Sequence, residues 1–527
     1  MNRSRHRVLT LTVVLCAFSV TAATPPAEEA VSKSLKSFSQ FYSIVEQNFA
    51  DSAKVDNAIY EGAIPGMLNT LDPHSHFFDP KEFAAMQEDN RETYFGTGMT
   101  VRPDTGPNRR TIVVAPFTGS PAYRAGLRPG DAIVAVDGKS TDGMDTNAIT
   151  TLLKGPRGTH VQVSVARNGV EQPITVDIIR DEIPRPSVSE AFWLKPGIAY
   201  VRVNQFKENT SKELEDNLKK LGETKIEGLV LDLRENPGGL LYEGIEVAGH
   251  FLKKNQIVVS DRGRVKPTKE YKARSNNGGK EYPVVVVVNR RSASAAEIVS
   301  GALQDHDRAW VLGETTFGKG LVQEVLRLSD NAGLALTTMH YYTPSGRLIQ
   351  RDYSNISFLQ YYTNKQDQKN LADQKTTDSG RIVFGGGGIT PDEKYEAKPL
   401  NKFQVETLLR KASFFKFSAK FFGPRKDPKL PEGWAPDEKL VDDFHQFLLD
   451  NDVRFTEAEF TENHEWVKNQ LKREMYITGF NVDASDRVQI EQDPEVAKAV
   501  EAMPKAKILL EDAKKVIVRN TTPVPAR

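Results

Sequence analysis

Three short motifs carry residue types that suit acyl transfer. The first is Arg-Ser-Ala-Ser-Ala-Ala-Glu, in which Ser294 stands between a run of five valines and a predicted helix. The carboxyl end of a strand is where α/β sheets place their sites, and a helix start offers free N–H groups to an oxyanion. Ser294 and Glu297 are also spaced as a capping box, in which the serine only caps the helix. Considered alone, the motif favours capping over nucleophilic attack.

The second motif, Gly-Lys-Gly, places Lys319 in a tight loop. Lysine is a general base only when it is neutral, which requires burial to lower its pKa. Gln323 follows four residues later and lies on the same side of either a helix or a strand, so it can orient the amine. A solvated loop lysine is the usual alternative. A phosphate loop is a weaker one, because its glycine spacing and its Ser or Thr are missing.

The third motif is Arg-Glu-Asn-Pro-Gly-Gly, a glycine-rich loop that follows a predicted strand. The backbone amides of this loop can complete an oxyanion hole with the amide of Ala295, and an ordinary turn is the competing interpretation. A Ser-His-Asp triad is not indicated, because neither His250 nor His306 stands in such a context.

The elements that must position these motifs alternate between strands and helices from residue 183 to about 400. This alternation indicates an α/β domain with a largely parallel sheet, and the five valines indicate a strand covered on both faces. The predicted strands are Ile198–Val203, Gly228–Leu233, Val284–Val288 and Ala309–Leu312, and the predicted helices are Ser211–Leu221, Tyr242–Leu252 and Ala295–Gln304.

Two further segments flank or interrupt this alternation. Residues 352–381 are polar and rich in Asn, Gln, Lys and Asp, so they are interpreted as an inserted loop. Residues 401–527 are predicted to be helical, with several phenylalanines near their start. The sequence leaves open whether this C-terminal region packs on the core or supports oligomerisation.

Residues 91–182 change in character to short strands and glycine turns. They closely resemble a bacterial PDZ domain, a module that captures a peptide at a sheet edge. The amides of Gly96, Thr97, Gly98 and Met99 are the candidate site for a terminal carboxylate. The alternative is a small half-open barrel whose glycines only make turns.

The N-terminus is typical of a cleaved signal peptide over residues 1–23. A basic start precedes the apolar run Val8–Val20, which is well short of the roughly 20 residues that a membrane span needs. The only cysteine, Cys16, lies in this segment, so a mature chain would lack disulfides and thiolate chemistry. Residues 24–90 are predicted to be helical. His74 and His76 favour a turn over a metal site, because no third ligand lies nearby.

The length and net charge of the chain limit the number of domains and the classes of partner to be expected. A chain of 527 residues is too long for one core and is expected to form several domains. Lys and Arg together number 70, as do Asp and Glu, so the formal net charge is zero. That balance gives no electrostatic reason to expect a nucleic-acid partner.

The motifs together resemble the carboxyl-terminal processing, or tail-specific, proteases. The resemblance covers residues 35–350 and resumes at Gly388–Asp392, and it includes the 25-residue separation of the serine and the lysine. Several independent motifs occur in the order that the family shows. The resemblance implies a serine endopeptidase with an α/β core of the crotonase or ClpP type and a PDZ domain.

The same resemblance assigns roles to individual residues. It implies that Ser294 is the nucleophile, Lys319 the general base and Gln323 the residue that orients this base. The amides of Gly238 and Ala295 are implied as the oxyanion hole. No metal or other cofactor is expected.

The expected fold is therefore a multidomain α+β chain. It comprises a signal peptide (1–23), an N-terminal helical region (24–90), a PDZ domain (91–182), an α/β peptidase core (183–400) with an inserted loop (352–381), and a C-terminal helical region (401–527). The expected function is exported, periplasmic or otherwise extracytoplasmic processing or degradation of proteins from or near their C-termini.

The expected partners are unfolded or tagged proteins held by their C-termini, with no nucleic acid. A regulatory adaptor and a homo-oligomer remain open. The main alternative is a non-catalytic, PDZ-containing peptide-binding protein of the envelope, which the intact Ser, Lys and Gln set disfavours. An acyl-CoA hydratase-like enzyme is disfavoured by the PDZ-like segment and the export signal. A trypsin-like protease with a PDZ tail is disfavoured by domain order and the missing histidine triad.

Overall fold

The computed structural model describes most of the chain after the predicted signal peptide. The described residues are 26–52, 54, 57–91, 93–104, 110–274, 280–354, 356–363, 370–423 and 429–521. The signal-peptide prediction, with Cys16, falls outside these residues. The chain divides into two compact units, Met1–Thr70 and Leu71–Arg527.

The first unit is helical where it is described. It contains α1 (Pro26–Asn48), a π-helical segment (Asn57–Ala63) and α2 (Ile64–Asn69). Apolar side chains recur along α1 at helical spacing and are exposed within this unit, Leu35 and Phe41 among them. Among the helices that the structure describes, none is both long enough and apolar enough to span a membrane.

The second unit begins with a short strand and a helix and continues into the predicted PDZ-like segment. The elements are β1 (His76–Phe78), α3 (Pro80–Asp89), β2 (Thr93–Gly96), β3 (Met99–Pro103), β4 (Thr111–Pro116), α4 (Pro121–Arg124), β5 (Ala132–Val136), β6 (Lys139–Ser140), α5 (Thr146–Leu153), β7 (His160–Ala166), β8 (Ile174–Ile179) and β9 (Asp181–Pro184).

The strands of the PDZ-like segment form an antiparallel sheet in the order β3-β4-β5-β7-β8, with β6 paired to β5. β3 is therefore an edge strand, and α5 lies beside it. The entering strand β2 pairs antiparallel with the leaving strand β9, from Thr93 opposite Pro184 to Gly96 opposite Asp181. The two ends of the segment thus meet in a two-stranded ribbon.

The next elements build the predicted α/β core. They are β10 (Val188–Lys195), β11 (Ile198–Val203), α6 (Thr210–Leu221), β12 (Gly228–Asp232), α7 (Leu241–Gly249), β13 (Ile257–Gly263), β14 (Lys269–Lys272), β15 (Val284–Val288), α8 (Ala295–Asp305), β16 (Trp310–Gly313), β17 (Leu321–Arg327), β18 (Gly333–Tyr342), α9 (Phe358–Thr363), β19 (Asn370–Thr376), β20 (Ile382–Gly385) and β21 (Glu393–Lys394). The predicted strands and helices are present, with ends that differ by at most three residues.

The central sheet has the order β10-β11-β12-β15-β16-β21, and every pair except β10 with β11 is parallel. The five valines of β15 explain why it lies at the centre. Val284, Val286 and Val288 face a core shared with α6, α7 and α8, whereas Val285 and Val287 face the opposite core. All five side chains are fully buried, as the prediction of a strand covered on both faces requires.

C-terminal helices cover the second face of this sheet. The remaining elements are a π-helical segment (Phe403–Leu409), α10 (Ser413–Phe422), α11 (Glu438–Asp450), α12 (Glu457–Glu462), α13 (His464–Gly479), α14 (Val482–Glu491), α15 (Pro494–Glu501) and α16 (Met503–Thr521). Side chains of α14, α15 and α16 pack against Val285 and Val287. The phenylalanines of α10 form a separate core with α11, α12 and α13. The C-terminal region therefore packs on the core, one of the two roles that the sequence left open.

A second, antiparallel sheet carries Gln323. It joins β1, β18, β13 and β14 in that order, and β17 pairs along the other edge of β18. The sequence did not predict this sheet, because its strands are scattered from residue 76 to residue 342.

The prediction of a loop at residues 352–381 was wrong. The segment contains the helix α9 and the strand β19, which pairs with β20 as a hairpin. Its polar composition misled the prediction because several polar side chains are paired with the core rather than solvated. Arg381 contacts Asp307 at 2.7 Å and Asp392 at 2.5 Å, and Asp378 bonds to His306 at 2.8 Å.

Candidate active site

Ser294 lies at the sharp turn between β15 and α8. Its backbone angles are φ 54° and ψ −113°, a combination that residues with side chains rarely adopt, so the turn is strained. Its neighbours Ala293 and Ala295 are buried, whereas Ser294 stays partly exposed. A strained strand-to-helix turn is one way in which an α/β fold presents a nucleophilic serine.

Ser292, the other serine of this motif, is buried and hydrogen-bonded to the backbone. It is fully buried, and its Oγ donates to the carbonyl oxygen of Leu233 at 2.7 Å. The same oxygen accepts the N–H of Asn289 at 2.9 Å. Both bonds join the ends of two core strands, so Ser292 fits a structural role and not a nucleophilic one.

A single buried carboxylate joins the serine turn to the lysine loop. The side chain of Glu297 accepts four hydrogen bonds: from the Ser294 N–H at 2.8 Å, the Lys319 N–H at 2.9 Å, the Gly318 N–H at 2.6 Å and the Thr316 hydroxyl at 2.5 Å. The first two donors reach the same oxygen, Oε2. The predicted capping box is thus present, and its glutamate also fixes Lys319 next to the serine turn.

Lys319 and Gln323 are brought together as the spacing predicted. The Nζ of Lys319 donates to the Oε1 of Gln323 at 2.8 Å, and the Nε2 of Gln323 donates to the carbonyl oxygen of His74. Because a carbonyl oxygen can only accept, this second bond fixes which end of the Gln323 amide faces the lysine. Gln323 lies on β17, and Lys319 lies in the loop that leads into this strand.

The environment of Lys319 makes its amine easier to deprotonate than a lysine in water. Burial lowers the pKa of this lysine, and the nearby carboxylates of Glu297 and Asp72 act in the opposite direction. Burial also raises the pKa of the Glu297 carboxyl, while its hydrogen bonds favour the charged form. A lysine in a desolvated loop is more readily deprotonated than one in water, which suits a general base.

The amide of Gly238, a predicted oxyanion donor, already has an acceptor. Its N–H donates to the side-chain Oδ1 of Asn236 at 2.8 Å. Gly238 nevertheless lies against the serine turn: a Cβ added there would be 2.7 Å from the Cβ of Ser294 and 2.9 Å from the nitrogen of Ala295. Ala295 is the first residue of α8, where a helix offers its own amide no acceptor.

The N–H of Gly239 points in a different direction from the N–H of Gly238. The N–H of Phe206 donates to the carbonyl oxygen of Gly238 at 2.9 Å. In a planar trans peptide the N–H points opposite to the C=O, so the N–H of Gly239 points away from Phe206. β12, which leads into this loop, lies between β11 and β15. The side opposite Phe206 is therefore the side of Ser294.

The turn Asp72-Pro-His-Ser is part of this site, which the sequence did not indicate. The Oδ1 of Asp72 accepts the N–H groups of His74 at 2.7 Å and Ser75 at 2.8 Å. These bonds fix the His74 carbonyl that holds Gln323. Burial and the charge of Lys319 lower the pKa of His74 to about 4, so its ring is neutral at pH 7. His76 is not in the turn but in β1, with its ring against Phe78.

The predicted carboxylate loop of the PDZ-like segment joins β2 to the edge strand β3. The carbonyl oxygen of Thr97 accepts the N–H of Ala122 at 2.8 Å, and that of Gly98 accepts the Ser120 hydroxyl at 2.7 Å. By the same planar-peptide argument, the N–H groups of Gly98 and Met99 point away from the Ser120 side. Gly96 is the last residue of β2, opposite Asp181, so it is not part of this pair of amides.

No group of three or more His, Cys, Asp and Glu side chains within the described ranges has an arrangement that could hold a metal ion. His74 and His76 point to different neighbours.

Comparison with known proteins identifies the family. The profile of Peptidase family S41 matches residues 197–355, and that of the PDZ domain matches residues 112–167. The carboxy-terminal-processing protease of Bartonella bacilliformis is 38% identical over 347 residues, which cover 65% of this chain and 78% of the relative. The chain belongs to peptidase family S41. It is a serine protease of the carboxy-terminal processing type with a PDZ domain.

Other similar proteins carry related names. The carboxy-terminal processing protease CtpB of Bacillus subtilis is 35% identical over 417 residues, covering 74% of the peptidase and 85% of the relative. Among solved structures, the photosystem II D1 C-terminal processing protease has 28% identity and a TM-score of 0.35, covering 67% of the peptidase and 85% of that chain.

The family match includes every motif residue of the candidate active site except the turn at Asp72. Ser294, Lys319 and Gln323 all lie within residues 197–355 of the peptidase, whereas α9 lies beyond them.

Proposed function

We propose that the peptidase cleaves peptide bonds with Ser294 as nucleophile and Lys319 as general base. In this reaction, the Oγ of Ser294 bonds to the scissile carbonyl carbon while its proton passes to the neutral amine of Lys319. The amine then delivers that proton to the leaving nitrogen, and water hydrolyses the acyl-enzyme. Gln323 orients the amine, since its Oε1 lies 2.8 Å from Nζ.

The observation that carries this proposal is the shared oxygen of Glu297. Two residues that are 25 positions apart both donate their backbone N–H to this one atom, at 2.8 and 2.9 Å. The distance between the two backbone nitrogens therefore cannot exceed the sum of these two hydrogen-bond lengths. A helix cap alone requires the bond to Ser294 but gives no reason for the one to Lys319.

The oxyanion hole is proposed to use the amide of Ala295 together with one amide of the Gly238-Gly239 turn. The resemblance favoured Gly238, whose N–H is donated to Asn236 in this structure. Gly239 is the better-placed donor, because its N–H points toward the side of the serine turn. Two backbone amides aimed at the developing oxyanion are a large part of catalysis in acyl transfer.

The PDZ domain is proposed to hold the free C-terminus of a substrate. The edge strand β3 and the helix α5 border a groove to which an extended peptide can add as a strand. The amides of Gly98 and Met99 offer a carboxylate two charge-assisted hydrogen bonds. Unfolded or tagged proteins are therefore the proposed substrates, and an adaptor and a homo-oligomer remain open.

Two further parts of the proposal, the cellular location and the type of core fold, rest on the sequence and on the architecture of the core. The basic start and apolar run of residues 1–23 support export to the periplasm or another extracytoplasmic space. A mostly parallel sheet with helices on both faces supports a core of the crotonase or ClpP type.

The decisive experiment compares the two serines of the motif. Purified peptidase and its Ser294→Ala, Lys319→Ala and Ser292→Ala variants are incubated with an unfolded reporter that ends in an apolar tail. Ser294→Ala and Lys319→Ala are expected to lose at least about a thousandfold in kcat while keeping the thermal midpoint, since they remove reacting groups.

Ser292→Ala is the matched control. It should lose about 1 to 3 kcal/mol of unfolding free energy, because it leaves the Asn289 N–H without its acceptor, and it should still cut. Cleavage by Ser294→Ala at the rate of the unmutated peptidase would refute the assignment.

A further inference from the structure

Tyr361 lies on α9, in the segment beyond the part of the chain that the family profile matches. Its side chain is only 1% exposed, although the neighbouring residues Leu359, Gln360, Tyr362 and Thr363 are exposed. Its ring packs edge-on against His74, with centroids 5.3 Å apart, and against Phe317, with centroids 5.6 Å apart. Phe317 stands two residues before Lys319, so α9 covers the start of the lysine loop.

The hydroxyl of Tyr361 reaches one side of that loop through Gln350. The Oε1 of Gln350 accepts the N–H of Gly320 at 2.8 Å, which fixes the orientation of the side-chain amide. Its Nε2 must then be the donor to the Tyr361 oxygen, at 3.1 Å. Gly320 directly follows Lys319, so this bond holds the carboxyl side of the lysine.

The same hydroxyl reaches Lys319 a second time through His74. The Nε2 of His74 lies 2.8 Å from the Tyr361 oxygen. This bond holds the ring of His74 in either tautomer: the hydroxyl donates when the ring proton is on Nδ1 and accepts when it is on Nε2. The His74 carbonyl in turn accepts from Gln323, whose Oε1 accepts from the Lys319 amine.

The backbone of α9 is tied to the loop as well. The Nη1 of Arg351 donates to the carbonyl oxygen of Tyr361 at 3.1 Å, and the N–H of Arg351 donates to that of Gly318 at 3.0 Å. The guanidinium of Arg351 also lies over the ring of Phe317, 4.3 Å from its centroid. Lys319 is thus held from both sides by contacts that meet at one tyrosine.

We propose that Tyr361 is a positioning residue for Lys319. Its hydroxyl fixes both Gln350 and His74, and through them the loop and the amine-orienting Gln323, while its ring, packed on His74 and Phe317, covers the start of the loop that carries the amine. This inference rests on the proposed function, in which Lys319 is the general base. It assigns to the inserted segment a role in keeping that base desolvated and oriented.

The test removes only the hydroxyl. Tyr361→Phe keeps the ring and is expected to lower kcat about tenfold, with KM unchanged within about twofold and the thermal midpoint nearly unchanged. Tyr353→Phe is the matched control, since its ring packs against Tyr361 with centroids 6.2 Å apart and its hydroxyl takes no part in these contacts. It should cut like the unmutated peptidase.

A second variant, Tyr361→Ala, tests the ring by the pH profile of kcat/KM. Opening the pocket admits water to the amine, relieves the desolvation that lowers its pKa, and moves the acid limb of the profile to higher pH. A purely structural loss would reduce the amount of folded enzyme and leave the limb where it is.

The outcomes are distinguishable. If Lys319→Ala still cuts, the proposed function fails, whatever Tyr361 does. If Lys319→Ala is inactive but Tyr361→Phe matches Tyr353→Phe in kcat and Tyr361→Ala leaves the acid limb in place, the inference about Tyr361 is overturned. A tenfold loss in kcat confined to Tyr361→Phe, with the shifted limb in Tyr361→Ala, supports it.

Discussion

Glu297 is completely buried and carries no salt bridge to a lysine or arginine side chain among the described residues. Burying a carboxylate costs several kcal/mol unless hydrogen bonds replace its water shell. Here three backbone amides and one hydroxyl supply that shell, and two of the amides belong to Ser294 and Lys319. The carboxylate is therefore stable only when both residues are in place, which makes the two halves of the site mutually dependent.

The lowered pKa of Lys319 predicts the pH dependence of activity. The base must be neutral, and its neutral fraction grows as the pH rises through its pKa, so kcat/KM should rise along a limb centred below the ordinary lysine value of 10.5. Asp72 raises this pKa by its charge. Asp72→Asn is expected to move the limb toward lower pH and also to reduce kcat, because the turn that holds the His74 carbonyl loosens.

Asp79→Asn is the control for this prediction. It makes the same chemical change seven residues further along, at the N-cap of α3, where the carboxylate accepts only the N–H of Glu82. Its pH profile should match that of the unmutated peptidase. A limb that stays in place in Asp72→Asn would show that this charge does not act on the lysine.

The motif residues could be predicted from the sequence, but their supports could not. Ser294, Lys319 and Gln323 stand in short motifs, and four-residue spacing places the last two on one face of any regular element. Glu297 was recognisable only as a cap. Tyr361 and Asp72 reach the site from distant parts of the chain, and a single sequence shows no sign of such long-range contacts.

The strands of the core were predicted well because their signal is local. β15 is a run of five valines, and only a strand with both faces covered buries every one of them. The inserted segment was misjudged for the converse reason. Its polar side chains are used in pairs: Arg381 reaches two carboxylates of the core, and Asp378 reaches His306.

These ion pairs predict that the hairpin contributes to stability. Arg381→Met leaves the buried carboxylates of Asp307 and Asp392 without their cation, so unfolding free energy is expected to fall by about 3 kcal/mol. Urea unfolding of the purified peptidase measures this change. Lys212→Met is the control, because Lys212 pairs with Asp216 on an exposed helix face, where solvent screens the pair, and its urea midpoint should be nearly unchanged. Equal losses in the two variants would contradict the prediction.

The domains of the second unit are held together by the C-terminal region. α14, α15 and α16 complete the core, and α10 contacts the PDZ domain, where the guanidinium of Arg102 lies 4.6 Å from the ring centroid of Phe415. The helical character of residues 401–527 was predicted from the sequence. Which surface each apolar stripe covers was not, because a hydrophobic pattern shows that a face is buried but does not identify its partner.

The proposed binding of a free C-terminus by the PDZ domain predicts that KM depends on the charge at the C-terminus of the substrate. A reporter with a free C-terminal carboxylate should have a KM about 10 to 100 times lower than the same reporter ending in a carboxamide, because the carboxamide cannot make the proposed charge-assisted bonds to Gly98 and Met99. Steady-state kinetics on the two reporters measures the ratio. A third reporter without the apolar tail should behave like the carboxamide. Equal KM values for all three would argue against tail capture.

The pairing of β2 with β9 has a consequence for how this architecture can change in evolution. Residues joined in an antiparallel pair lie about 5 Å apart, so the remainder of the chain meets the same two attachment points whatever lies between them. A different recognition module can then replace residues 97–180 without altering the path of the catalytic core. The ribbon thus forms a two-stranded joint between the proposed recognition module and the catalytic core.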